Sequence, residues 1–338
     1  MSRRRGVVRG ATVVVLWLLL TACAGEAGAW QPRSRQASIV LWLFWVMLGL
    51  AAVVFVLVVA LLVRAARAGD PAGVAGDAGE QAAERRARRL VLGGGVLLPV
   101  VVLVPLSIAT LTVAASLSHR VGPPALPIEV IGHQYWWEIR YPDHGVVTAN
   151  EIHIPVGTPV ELTLTTEDVI HSVWVPQLSG KVDMIPGEVT ELRFEADTAG
   201  TYLGQCAELC GLQHARMRLH VVAEPLDRFE AWVARQAEPA AAPEPGSRAE
   251  AGAEVFVEAG CAACHTVRGT GAAGELGPDL THVADRLYLG AGTLRNDRGQ
   301  LAGWVANPHA SKPGALMPPS SLEPEELLAV VDYLETLR

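Results

Sequence analysis

Two short stretches of the 338-residue sequence concentrate groups able to bind metals. The first is Cys206-Ala-Glu-Leu-Cys210-Gly-Leu-Gln-His214-Ala-Arg-Met217, which gathers two thiols, an imidazole and a thioether. Soft sulfur combined with imidazole selects copper or zinc over ions that prefer oxygen. A mononuclear blue-copper site needs one cysteine, so the second is surplus unless two thiolates bridge two copper ions. Each copper then needs its own histidine. His214 is one, and His171, in Val169-Ile-His-Ser-Val-Trp-Val175, is the candidate for the other. A Cys206–Cys210 disulfide and a zinc site are the alternatives, although zinc has no need of Met217. The second stretch is Cys261-Ala-Ala-Cys264-His265. At this spacing two thiols form thioethers to a haem and the next residue, His265, binds its iron. The opposite iron ligand follows by elimination. Met317, in Ala315-Leu-Met-Pro-Pro319, is the only methionine after residue 217, and a Met/His pair raises the potential relative to two histidines. His282 and His309 are the alternative ligands.

Such groups need elements to hold them. From Pro127 to Val222 apolar and polar residues alternate in short runs, as in Glu151-Ile-His-Ile154, Val160-Glu-Leu-Thr-Leu164 and Val189-Thr-Glu-Leu-Arg-Phe194. Gly and Pro punctuate them. Period-two patterning with regular turn signals predicts an antiparallel β sandwich or barrel, here placed at 119–224. A short amphipathic helix over 226–236 and a Pro/Ala-rich stretch, Glu238 to Ser247, make up a linker at 225–248, and the Pro/Ala-rich part reads as a semi-rigid extended tether. Residues 249–338 turn helical, with a final helix over Glu325–Leu337.

The N-terminal third has another character. Arg3, Arg4 and Arg5 precede the apolar stretch Ala11–Leu20, too short to span a bilayer. Leu20-Thr-Ala-Cys23 resembles a bacterial lipobox. Residues 1–22 are therefore expected to be a lipoprotein-type signal peptide, with Cys23 as the lipidated residue. Residues 23–118 hold two uncharged spans, at about 39–63 and 90–117, the second containing Pro99 and Pro105. The connection 64–89 carries Arg64, Arg67, Arg85, Arg86, Arg88 and Arg89, which places it in the cytoplasm by the positive-inside rule. Everything after residue 118 then lies outside. Residues 1–118 contain 12 Arg against 5 acidic groups, a net of +7. Residues 119–338 contain 15 basic and 30 acidic groups, a net of −15. That acidic exterior excludes nucleic acid as a partner. With Cys23 assigned to lipid, two cysteines to copper and two to haem, none remains for a disulfide framework.

Gly132-His-Gln-Tyr-Trp-Trp137, His171 and the cysteine loop together resemble subunit II of cytochrome c oxidase, across both spans and the domain to about residue 222. Residues 249–338 resemble a small class I cytochrome c. There Gly277-Pro-Asp-Leu280 matches the loop whose proline carbonyl supports the proximal histidine. The resemblance implies a multidomain membrane protein: a two-helix transmembrane hairpin, an all-β cupredoxin-like sandwich and an all-α cytochrome c domain. It implies His171, Cys206, Cys210, His214 and Met217 as side-chain ligands of a binuclear CuA centre, with Glu208 giving a backbone carbonyl. The Glu208 carboxylate would turn to a magnesium or manganese ion shared with subunit I. Tyr135 stands where the family often has tryptophan. Tyr135, Trp136 and Trp137 are the candidates for the point at which electrons enter.

The implied function is an electron relay within a proton-pumping, oxygen-reducing complex. Electrons pass from reduced cytochrome c or another c-type donor to haem c, to CuA and on to subunit I, with subunit III and membrane lipid as further partners. The expected location is a bacterial plasma membrane, with the copper and haem domains on its outer face. The chain lacks the multi-histidine helices of an oxygen-reducing site and is not catalytic alone. A CuA-bearing subunit of a nitric oxide reductase and a membrane-anchored copper-delivery lipoprotein are the alternatives.

Overall fold

The computed structural model describes residues 28–67, 77–118 and 125–338. The expected signal peptide and Cys23 lie outside the described residues. The chain divides into two units, residues 38–122 and the remainder.

The first unit is helical and apolar. Helix α1 spans Arg35–Arg67, with Arg64 and Arg67 in its last turn. At about 1.5 Å per residue it is longer than the roughly 30 Å needed to cross a hydrocarbon core. Helix α2 (Asp77–Leu92) continues through a π-helical turn, Gly93–Leu97, into α3 (Leu98–Ser118). Both candidate spans expose large apolar side chains, such as Phe55 and Leu111. Two details depart from the sequence reading. The Arg-rich connection is not all loop, because α2 starts at Asp77. Its Ala, Glu, Gln and Arg residues are strong helix formers. The wide turn also falls before Pro99. Pro99 has no N–H to donate to the Gly95 carbonyl, and Leu98 donates instead to Gly93. Pro105 lies inside α3.

The second unit holds a β sandwich and a helical domain. Ten strands form two five-stranded sheets. One has the order β3 (Val146–Ala149), β2 (Trp136–Tyr141), β1 (Leu126–His133), β5 (Val160–Thr166), β8 (Thr190–Phe194). The other is β4 (Glu151–Pro155), β10 (Arg218–Glu224), β9 (Gly200–Cys206), β6 (His171–Trp174), β7 (Val182–Met184). Their inner faces bury Ile128, Trp137, Ile139, Ile152, Ile154, Leu162, Leu164 and Phe194. The sheets are mixed, not antiparallel throughout. β1 pairs parallel with β5, and β4 with β10. The chain runs as a meander through β1–β3, crosses to the second sheet as β4 and returns on the far side of β1. Period-two alternation is the same for both strand directions, so patterning alone does not separate them.

β4 also breaks the inside/outside rule. Ile152 and Ile154 face the core, yet Glu151 on the other face is buried too and His153 is half-buried. Helix α4 (Leu226–Ala237) covers that face, and its Trp232 ring stacks on His153 with centroids 4.1 Å apart. The His153 ring contacts Glu224 at 3.0 Å and Glu151 at 3.8 Å.

The helical domain is built on α5 (Arg248–Glu258) and α8 (Pro324–Thr336), with β11 (Tyr288–Leu289), β12 (Leu294–Arg295), α6 (Arg298–Ala306) and the single turn α7 (Pro308–Ser311) between them. The α5/α8 crossing is close because residue 252 is glycine: a Cβ there would sit 1.9 Å from the Ala329 carbonyl. Phe256 and Tyr333 meet edge-on in the core beneath it. Stretch 238–247 is not a free tether. The Ala240 amide donates to the Arg268 carbonyl at 2.9 Å, and His282 Nε2–H donates to the Glu238 carbonyl at 3.0 Å.

The buried His153 cluster gives a pH test. Burial opposes the imidazolium, but hydrogen bonds to Glu151 and Glu224 and their negative charge outweigh it, so His153 stays above the ordinary histidine range. A raised folded-state pKa contributes stability that is complete below about pH 6.5 and is lost as pH rises through the raised value. Denaturation series between pH 6 and pH 9 are expected to show that loss in the wild type. In His153→Gln the change over this window should shrink. Equal pH dependence in both proteins would contradict the assignment.

Candidate functional site

The sulfur-rich loop closes between two neighbouring strands. β9 ends at Cys206 and β10 starts after Met217, and the Cys206 amide donates to the Met217 carbonyl at 2.9 Å. The Ala207 amide donates to the Ser172 carbonyl, also at 2.9 Å, which ties the loop to β6. β6 opens on His171, so its ring arrives beside Cys206. The ligand atoms of His171, Cys206 and Cys210 all lie within 4.8 Å of one another and all three residues are buried. The two Sγ atoms are 3.8 Å apart. His171 Nδ1 is 3.9 Å from Cys206 Sγ, and His214 Nδ1 is 3.9 Å from Cys210 Sγ. Met217 Sδ lies 3.8 Å from Cys210 Sγ, and the Glu208 carbonyl 3.1 Å from Cys206 Sγ.

All six groups anticipated around the copper therefore converge. Both cysteines are free thiols at nearly twice the roughly 2.05 Å of a disulfide bond. Their mutual contact holds Cys206 below and Cys210 above the ordinary thiol range, as expected of two acids sharing one charge. Two sulfurs, two imidazoles and a thioether in a buried setting fit copper, and fit zinc less well because of the thioether. The Glu208 carboxylate is partly exposed and lies 3.5 Å from Lys181 Nζ.

Two residues orient His171. Asp168 Oδ1 accepts from His171 Nε2–H at 2.8 Å, which leaves Nδ1 facing the sulfurs. Burial works against the Asp168 charge. Hydrogen bonds from His171 and from the Val169 and Gln134 amides outweigh it, and Asp168 stays below the ordinary carboxylate range. Gly132 supplies the space: a Cβ there would lie 2.8 Å from His171 Cδ2. Sequence reasoning missed Asp168. An aspartate three residues before the ligand, at the mouth of its strand, was the available signal.

The aromatic motif lies against the same loop. Trp137 is fully buried, edge-on to His171 at 5.8 Å between centroids. Tyr135 is buried and its hydroxyl accepts from the Leu212 amide at 3.1 Å. Gln134 Nε2 donates to the Cys210 carbonyl at 2.6 Å. Trp136 stacks on His133. Tyr135 and Trp136 also wall a second feature, a cavity of about 410 Å³ in the helical domain.

Cys261, Cys264, His265 and Met317 line that cavity. His265 Nδ1–H donates to the Pro278 carbonyl at 2.8 Å, which leaves Nε2 for a metal. Burial holds His265 below the ordinary histidine range against that hydrogen bond, favouring the neutral ring a metal requires. Gly277 permits the approach, since a Cβ there would lie 2.6 Å from the His265 ring. The alternative ligands are engaged elsewhere: His282 with the Glu238 carbonyl, and His309 Nε2 with the Met317 carbonyl at 3.1 Å. Arg286 also lines the cavity, and its buried Nε has no hydrogen-bond partner. A largely apolar slot with an attachment motif, a free imidazole nitrogen, a thioether and an unmatched guanidinium N–H fits a haem bearing acidic side groups.

A soft-metal sandwich followed by a haem-binding domain, behind two membrane-length helices, defines a membrane-anchored electron-transfer protein. Comparisons with known proteins make this specific. The family profile for the periplasmic domain of cytochrome c oxidase subunit II matches residues 145–224, and that for cytochrome c matches residues 249–338. Cytochrome c oxidase subunit 2 of Alkalihalophilus pseudofirmus is 33% identical over 332 residues, covering 96% of this chain and 95% of the relative. The same subunit of Thermostichus vulcanus is 50% identical over 109 residues, 32% of this chain and 33% of that one. A crystal structure of the periplasmic domain of subunit II (CoxB) of Bradyrhizobium japonicum is 32% identical and covers 34% of this chain and 95% of its own, with TM-score 0.33. The chain belongs to the cytochrome c oxidase subunit 2 family. It is the electron-transfer subunit of a haem–copper oxidase, with a copper-binding subunit II domain and a haem-binding cytochrome c domain, anchored in a membrane with its domains on the periplasmic side. Neither alternative raised from the sequence is favoured.

Gly132→Ala tests the histidine cradle. It should lower copper affinity by roughly 10–100-fold, the range seen when the groups supporting a ligand are disturbed. Haem content should stay unchanged. Copper titration of the purified protein reads this, and wild-type affinity would contradict the role of Gly132.

Proposed function

We propose that His171, Cys206, Cys210, His214 and Met217, with the Glu208 backbone carbonyl, hold a binuclear CuA centre. We further propose that Cys261 and Cys264 would attach one haem c covalently, and that His265 and Met317 would supply its iron ligands. The convergence of six donor groups at one end of the sandwich carries this reading. When bound, the copper pair and the haem supply reversible one-electron transfer, taking electrons from a reduced c-type donor and passing them to subunit I for oxygen reduction coupled to proton pumping.

The protein's own part is to orient and to exclude water. Asp168 and Gly132 fix the His171 ring, and Pro278 and Gly277 fix that of His265. Burial of His171, Cys206, Cys210 and Met217 keeps solvent from the copper ligands. A ligand set held in one geometry changes little between oxidation states, which keeps the reorganisation energy of electron transfer small. The Glu208 carboxylate, now 3.5 Å from Lys181 Nζ, would turn to a magnesium or manganese ion at the boundary with subunit I. Subunit III and lipid complete the assembly. Export with lipidation at Cys23, and an Arg-rich connection left in the cytoplasm, orient the chain in a bacterial plasma membrane.

Two variants of the intact complex test the assignments. Met217→Leu is expected to retain copper while shifting the near-infrared absorption and the potential of the centre; complete loss of copper would contradict its role as a weak ligand. His265→Ala is expected to lower ascorbate-driven turnover through the fused haem at least tenfold. Unchanged turnover would show that donors bypass that haem.

A further inference from the structure

The sandwich and the haem-binding domain share a seam, and each buries an ionisable side chain against the other's backbone. Glu151, on β4 of the sandwich, is 3% exposed. Its Oε1 accepts from the amides of Leu287 and Tyr288 in the haem-binding domain, at 2.6 and 3.2 Å. Lys312, between α7 and Met317, is 2% exposed. Its Nζ donates to the carbonyl of Tyr135 in the sandwich at 2.9 Å and to that of Gly290 in its own domain at 3.0 Å. Among the described residues no carboxylate forms an ion pair with Lys312. A buried charge without a counter-charge is unfavourable unless fixed dipoles replace its water, and it therefore tolerates only the geometry that supplies them. Lys312 is the one without a counter-charge and has two carbonyls instead, whereas Glu151 has two amides in addition to the His153 ring 3.8 Å away; in each case the partner domain contributes.

The contacts around these two agree with a fixed seam. The Arg218 amide donates to the Ala291 carbonyl at 3.1 Å, and Tyr288 stacks on His220 with centroids 4.2 Å apart. Gln213 and Arg216, on the sulfur-rich loop, donate to the carbonyls of Pro313 and Ser311. The seam brings Tyr135 and Trp136 to the wall of the haem cavity. The same turn reaches the Cys210 carbonyl through Gln134. The gap between the two redox sites is thus set by the docking of the two domains, not by the length of stretch 238–247.

We propose that Glu151 and Lys312 are positioning residues, a reciprocal latch that holds the haem-binding domain in one docked pose with its cavity closed against Tyr135. This rests on the copper and haem assignments above for its purpose, but not for its geometry. Electron tunnelling falls off exponentially with distance, so a latched pose speeds transfer between the sites in every turnover. One electron leaves the haem iron and one arrives at the copper pair, with no bond made or broken at the latch. A latched domain also covers the aromatic turn, so Tyr135 faces the fused haem and not an external donor.

Hydrogen exchange on the purified full complex reads the pose directly. The Leu287 and Tyr288 amides are expected to be protected in the wild type. In Glu151→Leu and in Lys312→Met they should exchange at least tenfold faster, with the haem and near-infrared copper spectra unchanged. Glu151→Gln keeps an acceptor oxygen and should restore protection. Internal haem-to-copper electron transfer, triggered by rapid photoreduction of the haem, should slow at least tenfold in the first two variants, while reduction of the haem by an external donor keeps its rate. Wild-type amides exchanging as fast as an open loop, or both readouts at wild-type values in Glu151→Leu and Lys312→Met, would overturn the latch. Absence of the copper or haem spectrum from the wild-type complex would instead overturn the functional reading, and exchange would still decide the latch.

Discussion

Everything at the copper end of the sandwich depends on one backbone hydrogen bond, from the Cys206 amide to the Met217 carbonyl. It closes the sulfur-rich loop at its two ends, where β9 gives way and β10 takes over. A loop pinned this way has little freedom in where its sulfurs point. Cys206 and Met217 begin from paired positions of one sheet, and His171 comes from the strand on the other side of β9. The sheet therefore sets the spacing of the donors, and the loop residues between only fill the remaining positions. Rigid elements hold a metal site more accurately than free loops do.

The haem-binding domain solves the same problem with different parts. In both domains one ring nitrogen of a histidine is tied down, by Asp168 or by the Pro278 carbonyl, and the other is left facing the site. In both a glycine lets a neighbouring strand or loop press against the ring. The two sites are then joined by a seam in which polar backbone groups of each domain satisfy an ionisable side chain of the other. The face of β4 that carries Glu151 and His153 shows how complete this is, since α4 and the haem-binding domain between them leave it almost no water.

The metal-binding stretches were legible because their chemistry is local. Cys206 to Met217 and Cys261 to His265 each state a donor set within a few residues, and Met317 stood out as the one methionine left for the iron. The two spans were legible from uncharged length. What stayed hidden depended on partners far along the chain. Glu151 sits in a run whose alternation reads as buried isoleucine and wet polar residue, yet its amide partners lie 136 and 137 positions downstream. Asp168 carries no motif of its own, and only the position of His171 at the start of β6 gives it a role. The parallel pairings of β1 with β5 and β4 with β10 arise from a crossing between sheets, which period-two patterning does not record. Stretch 238–247 has the composition of a semi-rigid extended tether, and the positions of Arg268 and His282 fasten it.

The central claim is that two sulfurs and two imidazoles enclose a pair of copper ions. Electron paramagnetic resonance of the oxidised full complex tests it most directly, because copper nuclei split the signal of an electron they share. The account predicts hyperfine structure from two equivalent copper nuclei, lost in Cys210→Ser. A signal split by a single copper nucleus, or zinc or a cystine found at Cys206 and Cys210, would contradict it.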